Sequence, residues 1–234
     1  MTISQLRTAG AGGDETEAAR RFGDGIYELL KLVTAIVNNS LLLEKAGGTA
    51  DNDAVGQVLF DMCLCRATDL SLTYISSVLR LVYLKQPNAL RSSEKVDVNF
   101  IFQFTSMDQL LLALLERKVR ALSFQSLNDL DADFSKRLGM PLFDNDSHRA
   151  RAVQLVALRN LIVHNQGIVD EHFMRQYPDA PGLGTRIQVG DSENNEALLF
   201  LVDWIADLDV RMIEKFSLPT RPRIPRPKIT ILAQ

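Results

Sequence analysis

The sequence predicts an all-α protein, a bundle of about six helices. Three observations carry that prediction. Apolar residues recur at three- and four-residue steps over long stretches of the chain. Ser, Asp and Asn stand before those stretches, while Gly or Pro follows them, as helix starts and stops require. Only one short segment, VDVNFIFQF at 96–104, alternates with the period of a strand, and an isolated strand has no partner to pair with.

Residues 1–14 are rich in Gly, Ala and Thr without periodicity and are expected to be disordered. A helical pattern begins near Glu15 with Phe22, Ile26, Leu29, Leu30, Val33, Ile36 and Val37, and Gly47-Gly48 is its expected stop. A second long helix is expected from about Asp53 to Lys85. It ends before Pro87, because the residue ahead of a proline is pushed out of the helical region. Residues 86–104 read as an extended linker or a short helix. Ser106-Met-Asp-Gln109 has capping-box form and opens a helix to about Ala121.

Ser126-Leu-Asn-Asp129 opens another helix, closed by Gly139 and Pro141. Asp144-Asn-Asp-Ser147 supplies caps for the helix that contains RAVQLVALRNLIVHN, with Gly167 as its stop. The stretch after Pro178 is a loop with room for a small hairpin. Its Gly182-x-Gly184 follows no strand and is not read as a phosphate loop. The last helix, about Ser192 to Phe216, carries the stripe Leu198, Leu201, Val202, Ile205, Leu208 and Met212. The expected layout is a disordered start (1–14), one helical domain (15–217) and a basic Pro-rich tail (218–234). Alternating Pro with Arg or Lys, that tail should be extended and mobile.

Composition narrows the function classes. At 234 residues the chain can bury one good-sized core. Net charge is −3, so nothing global attracts nucleic acid, and RNA binding would need a local site. No apolar run is long enough for a membrane span, and the first residues lack a signal-peptide core, so a cytoplasmic location is expected. Cys63 and Cys65, two apart on a helix, point to different faces. They suit neither a disulfide nor a zinc site and read as packing residues.

The chemistry-bearing feature lies in 151–170. From Ala152 to Val163 only Gln154, Arg159 and Asn160 are polar. A guanidinium on such a face costs several kcal/mol unless an anion meets it. Two readings stand open. In one, Arg159 pairs with a carboxylate of a neighbouring helix, such as Asp61 or Asp69, and His164 caps the helix C-terminus. In the other, the groups line a site. Asn160 and His164, four apart, share a helix face, whereas Arg159 and His164 lie about 140° apart on an ideal helix. Together they suit phosphodiester cleavage without metal. An imidazole moves protons near neutral pH, a guanidinium stabilises the growing charge, and an amide orients. RNA is the natural substrate, because its 2′-hydroxyl is a built-in nucleophile.

The run Arg159-Asn160-Leu-Ile-Val-His164-Asn165-x-Gly167, late in an all-α chain, resembles the signature of the HEPN superfamily of helical ribonucleases and toxins: Arg, four to six residues, then His. Of the three histidines only His164 has an Arg at that spacing. Residues from roughly 55 to 216 are similar in layout to the larger bacterial members. The resemblance implies a metal-independent endoribonuclease that needs no cofactor. It implies a homodimer in which each Arg159 and His164 joins its symmetry mate in one composite cleft, and a role in a toxin–antitoxin or antiphage defence system, with a cognate antitoxin or defence partner. The alternative it allows is a non-catalytic helical module that binds nucleotide, RNA or a protein.

Further RNA-contact candidates are Asn165 beside the histidine, His172 eight residues on, and Arg221 and Arg223 in the tail. The tail's bland reading is a solvated segment. His148, at the start of the motif helix, reads as a surface histidine, and Tyr177 beside Pro178 as a packing residue. No metal site is expected.

Overall fold

The computed structural model of the protein describes residues 13–45, 52–90, 95–123 and 125–227. Of the disorder expected over 1–14, residues 1–12 lie outside these residues, as does the Gly47-Gly48 stop, while Asp14 is instead ordered in a pairing with Pro222. The architecture is an all-α helical bundle. The chain runs β1 (Asp14–Glu15), α1 (Glu17–Lys45), α2 (Asn52–Lys85), α3 (Val98–Ile101), α4 (Met107–Ser123), α5 (Leu127–Asp133), α6 (Asp146–Asn165), α7 (Glu171–Gln176), α8 (Asp191–Phe216) and β2 (Arg221–Pro222). Five helices are long. Among the described residues the short α3 and α7 raise the number from the six expected to eight, because brief capped turns leave little periodic signal, while the short α5 is the helix expected at Ser126.

The central element is α2, which packs against α1, α4, α6 and α8. It is apolar on several sides, so Leu64, Ala67, Tyr74, Ile75, Val78, Leu79, Val82 and Tyr83 are all buried. The α8 stripe meets it with Leu198, Leu201, Ile205, Leu208 and Met212, all buried, while Val202 is half-buried at its edge. In α1 the apolar face Phe22, Ile26 and Leu29 turns inward. Gly25 lets α1 approach α2, since a Cβ there would come within 2.6 Å of Leu70.

The caps act much as read from the sequence, with one shift. The Ser106 hydroxyl accepts from the Gln109 N–H (3.2 Å), but the Gln109 side chain returns to Thr105, accepting from its N–H and hydroxyl. Ser126 and Asn145 accept from the Asp129 and His148 N–H groups at 3.2 and 2.8 Å. After α5 the chain continues as a π-helical turn, Phe134–Leu138, closed at Gly139. Residues 87–90 form a 3₁₀ turn, and Asp97 caps α3, so the strand-like alternation there resolves into short helix.

Two further expectations are corrected. The loop after Pro178 forms no hairpin of its own. It clips to the segment following α6, with Val169 N–H donating to Thr185 O and Ile187 N–H to Gly167 O, both at 2.9 Å. The basic tail, expected to be mobile and solvated, is extended but docked as far as Arg226. β2 pairs antiparallel with β1, Arg221 and Arg223 reach Glu17 and Glu15 at 3.5 and 3.3 Å, and Arg226 reaches Asp24 at 3.1 Å. Acidic groups at the start of α1 draw the arginines in. Residues 228–234, with Lys228, lie outside the described residues.

Candidate functional site

The motif helix α6 starts on the Asn145 cap and stays regular through Asn165. Gln166 and Gly167 then take left-handed conformations, and the Gly167 N–H donates to Leu161 O at 3.1 Å. Leu155 and Leu161 are buried, with Leu158 and Ile162 half-buried against the bundle. The opposite side faces solvent. Asn160, Val163 and His164 are exposed, and the Arg159 side chain is 24% exposed. The polar cluster therefore sits on a surface rather than in a dry core.

Arg159 has the ion-pair partner named from the sequence. Its Nε lies 3.0 Å from Asp69 Oδ1 on α2, and the Asp69 side chain is 38% exposed. The Nε–H is not aligned for a hydrogen bond to that oxygen, so charge rather than geometry holds the pair. Nη1 donates to Asn160 Oδ1 at 2.9 Å. His164 is joined to neither group by a hydrogen bond or ion pair among the described residues. The helix does not bend to bring the imidazole around.

A second ion pair ties α2 to the loop that follows α7. Asp61, buried on α2, accepts from Gln57 Nε2 (2.7 Å) and from Arg186 Nη2 (3.1 Å). Arg186 packs over Gly167 at the end of α6. The two helices thus run side by side, with Asp69 by Arg159 and Asp61 by the Gly167 end. Cys65 lies between the two aspartates, its thiol pushed up to about 11 by burial, against the pull of nearby Arg159. The spacing of Asp61, Cys65 and Asp69 was legible as one helix face. The Arg186 partner was not, because it arrives from a distant loop.

Apolar groups flank the cluster. Val58 and Met62, 54% and 56% exposed, share the α2 face of Cys65 and Asp69. Val163 and Ile168, 50% and 38% exposed, stand beside the motif on α6 and after it.

The other candidates are scattered. The Asn165 amide is committed to Ile168 O at 2.6 Å, closing the turn after α6. His172 is exposed on α7, whose cap is Asp170, and no group of three or more His, Cys, Asp or Glu is placed to hold a metal among the described residues. Arg221 and Arg223 belong to the docked strap beside α1. His148 meets Asp144 at 2.6 Å, which offsets its place at a helix start, and Tyr177 packs on Phe173 with ring centroids 4.9 Å apart. Both cysteines are free thiols, Cys63 buried and Cys65 half-buried.

One chain alone therefore offers an accessible imidazole with the Asn160 amide on its own face of α6, and a guanidinium that meets that amide from around the helix. Among the described residues no helix is long and apolar enough to cross a membrane. Comparison with protein-family models, with curated proteins and with solved structures finds no match. The class that stands on fold and surface is an all-α helical bundle with a solvent-facing Arg-Asn-x3-His helix end.

Proposed function

We propose that the protein is a metal-independent endoribonuclease of the HEPN type, acting as a homodimer in a toxin–antitoxin or antiphage defence setting. The observation that supports this reading is the placement of Arg159, Asn160 and His164 at the accessible end of one straight helix, bordered by exposed Val58, Met62 and Val163. Because Arg159 and His164 point to different sides of α6, a second copy facing the first would be needed to set an imidazole against a guanidinium. In that composite cleft His164 takes the proton of an RNA 2′-hydroxyl, whose oxygen attacks the phosphorus to form a 2′,3′-cyclic phosphate, and the imidazolium gives the proton to the leaving 5′-oxygen. Arg159 stabilises the charge on the phosphorane, and Asn160 positions the guanidinium.

The Asp69–Arg159 pair favours a second reading, a helical module that binds nucleotide, RNA or a protein partner without cutting, with Arg159 committed to its own chain. Incubating wild type and His164→Ala with total RNA in EDTA separates the two. Cleavage by wild type that His164→Ala abolishes is the expected result. Cleavage that survives the substitution would overturn the assigned chemistry, and none by either protein would favour the binding module.

A further inference from the structure

Between α6, α7, the loop at 178–189 and the first turns of α8 lies a cleft of about 530 Å³, a size typical of small-molecule sites. It opens on the flank of α6 that carries Leu155 and Leu158. Leu158 and Asn160, two residues apart, point to nearly opposite sides of the helix, so this cleft is separate from the motif surface.

Its walls specify a ligand. The floor is apolar, built from Leu155, Leu158, Ile187 and Val189, with the Phe173–Tyr177 ring pair along one side. Three carboxamides, Gln154, Gln176 and Gln188, reach the rim. Each can donate and accept, as the edge of a heterocycle requires. Two carboxylates, Asp179 and Glu193, stand against one guanidinium, Arg151, which leaves one negative charge in excess. Arg151 is partly occupied by its hydrogen bond to Gln154 Oε1 at 3.1 Å. Glu193 accepts from the Gly190 N–H through Oε2 at 2.8 Å, which fixes the side chain and leaves Oε1 for a donor in the cleft.

An anionic ligand would meet that negative excess, and a purely aliphatic one would make no use of the rim amides or of Glu193 Oε1. A neutral flat ring with an amino edge satisfies both. We propose that the cleft binds a nucleobase bearing an exocyclic amino group (cytosine, adenine or guanine), its face on Tyr177 and the aliphatic floor and its amino group toward Glu193. Uracil places a carbonyl oxygen where the carboxylate needs a donor. The inference does not rest on cleavage at the motif, and it covers a free nucleoside and a base within an RNA strand alike.

The test is calorimetric titration of the His164→Ala protein, in which cleavage cannot mask binding. Cytidine is expected to bind at least about tenfold more tightly than uridine. Glu193→Gln keeps an oxygen for the Gly190 N–H and should erase that preference, while Tyr177→Ala should weaken both nucleosides. A pentacytidylate bound about tenfold more tightly than cytidine would assign the site to a strand, and equal affinities would assign it to a free nucleoside. No saturable binding, equal binding of cytidine and uridine, or a preference that survives Glu193→Gln would overturn the proposal. RNA cleavage by wild type, present or absent, bears only on the motif.

Discussion

Arg159 and Asp69 face each other across the α2–α6 interface at 3.0 Å, both partly open to solvent, without an aligned hydrogen bond. Such a pair contributes little, roughly 0–1 kcal/mol. Asp69→Asn is therefore expected to change unfolding free energy by no more than about 1 kcal/mol and to leave RNA cleavage equal to wild type or faster, since the guanidinium is released. Urea denaturation and a cleavage assay on the same preparation check this. A loss above about 2 kcal/mol would make the pair a structural lock rather than a loosely held functional group.

Val163 is half exposed one residue before His164. If two motif helices meet there, Val163→Glu buries a charge at the interface and should convert a dimer to a monomer, abolishing cleavage with it. The monomer should still fold and melt cooperatively, at a temperature lowered only by the loss of association, because the residue makes little use of its own core. Sedimentation velocity reads the mass. A monomeric wild type, or a dimer indifferent to the substitution, would remove the composite cleft.

The stability of the fold is concentrated elsewhere. Asp209 is almost fully buried and accepts from Thr16 N–H (3.0 Å), Thr16 hydroxyl (2.6 Å) and Tyr74 hydroxyl (3.0 Å). Burial and that carboxylate hold the Tyr74 phenol well above its usual range, so it remains the donor. Asp209→Ala strands three donors and should cost about 3 kcal/mol or more, whereas Tyr74→Phe should cost roughly 1–3 kcal/mol. Equal small losses in denaturant titrations would contradict this account.

The strap gives a pH dependence. Burial raises the Glu15 carboxyl above the ordinary range, against the pull of Arg223 and Arg226. A raised folded value means that the native state holds the proton more tightly. This group's contribution is therefore full below the unfolded value and is lost as pH rises through the folded one. Arg223→Ala removes the strongest opposing charge and should raise the carboxyl further. Its destabilisation is expected to be larger at about pH 7 than near pH 4, where Glu15 is already protonated. Thermal melts at the two pH values check the sign, and the reverse order would refute it.

Much of this was legible in the sequence, for local reasons. Ser126, Asn145 and Gly167 bound their helices because caps and left-handed stops depend on a few neighbouring residues. The α8 stripe turned inward because its period matches the helix. Even Asp69 could be named as a partner for Arg159, since a guanidinium on an apolar face demands an anion and few were within reach.

What only the tertiary structure decided depends on residues far apart in the chain. The loop at 184–187 was drawn to the end of α6 rather than to itself, and Arg186 came with it to Asp61. The arginines of the tail found the acids of α1, some two hundred positions away, and so became a docked strap. The motif also changed meaning. The sequence placed Arg159 and His164 on one helix, but a helix that stays straight keeps them about 140° apart. The physical reason is the same in each case: periodicity and capping act within a turn or two, whereas charge pairing and facing surfaces are set by how whole elements pack.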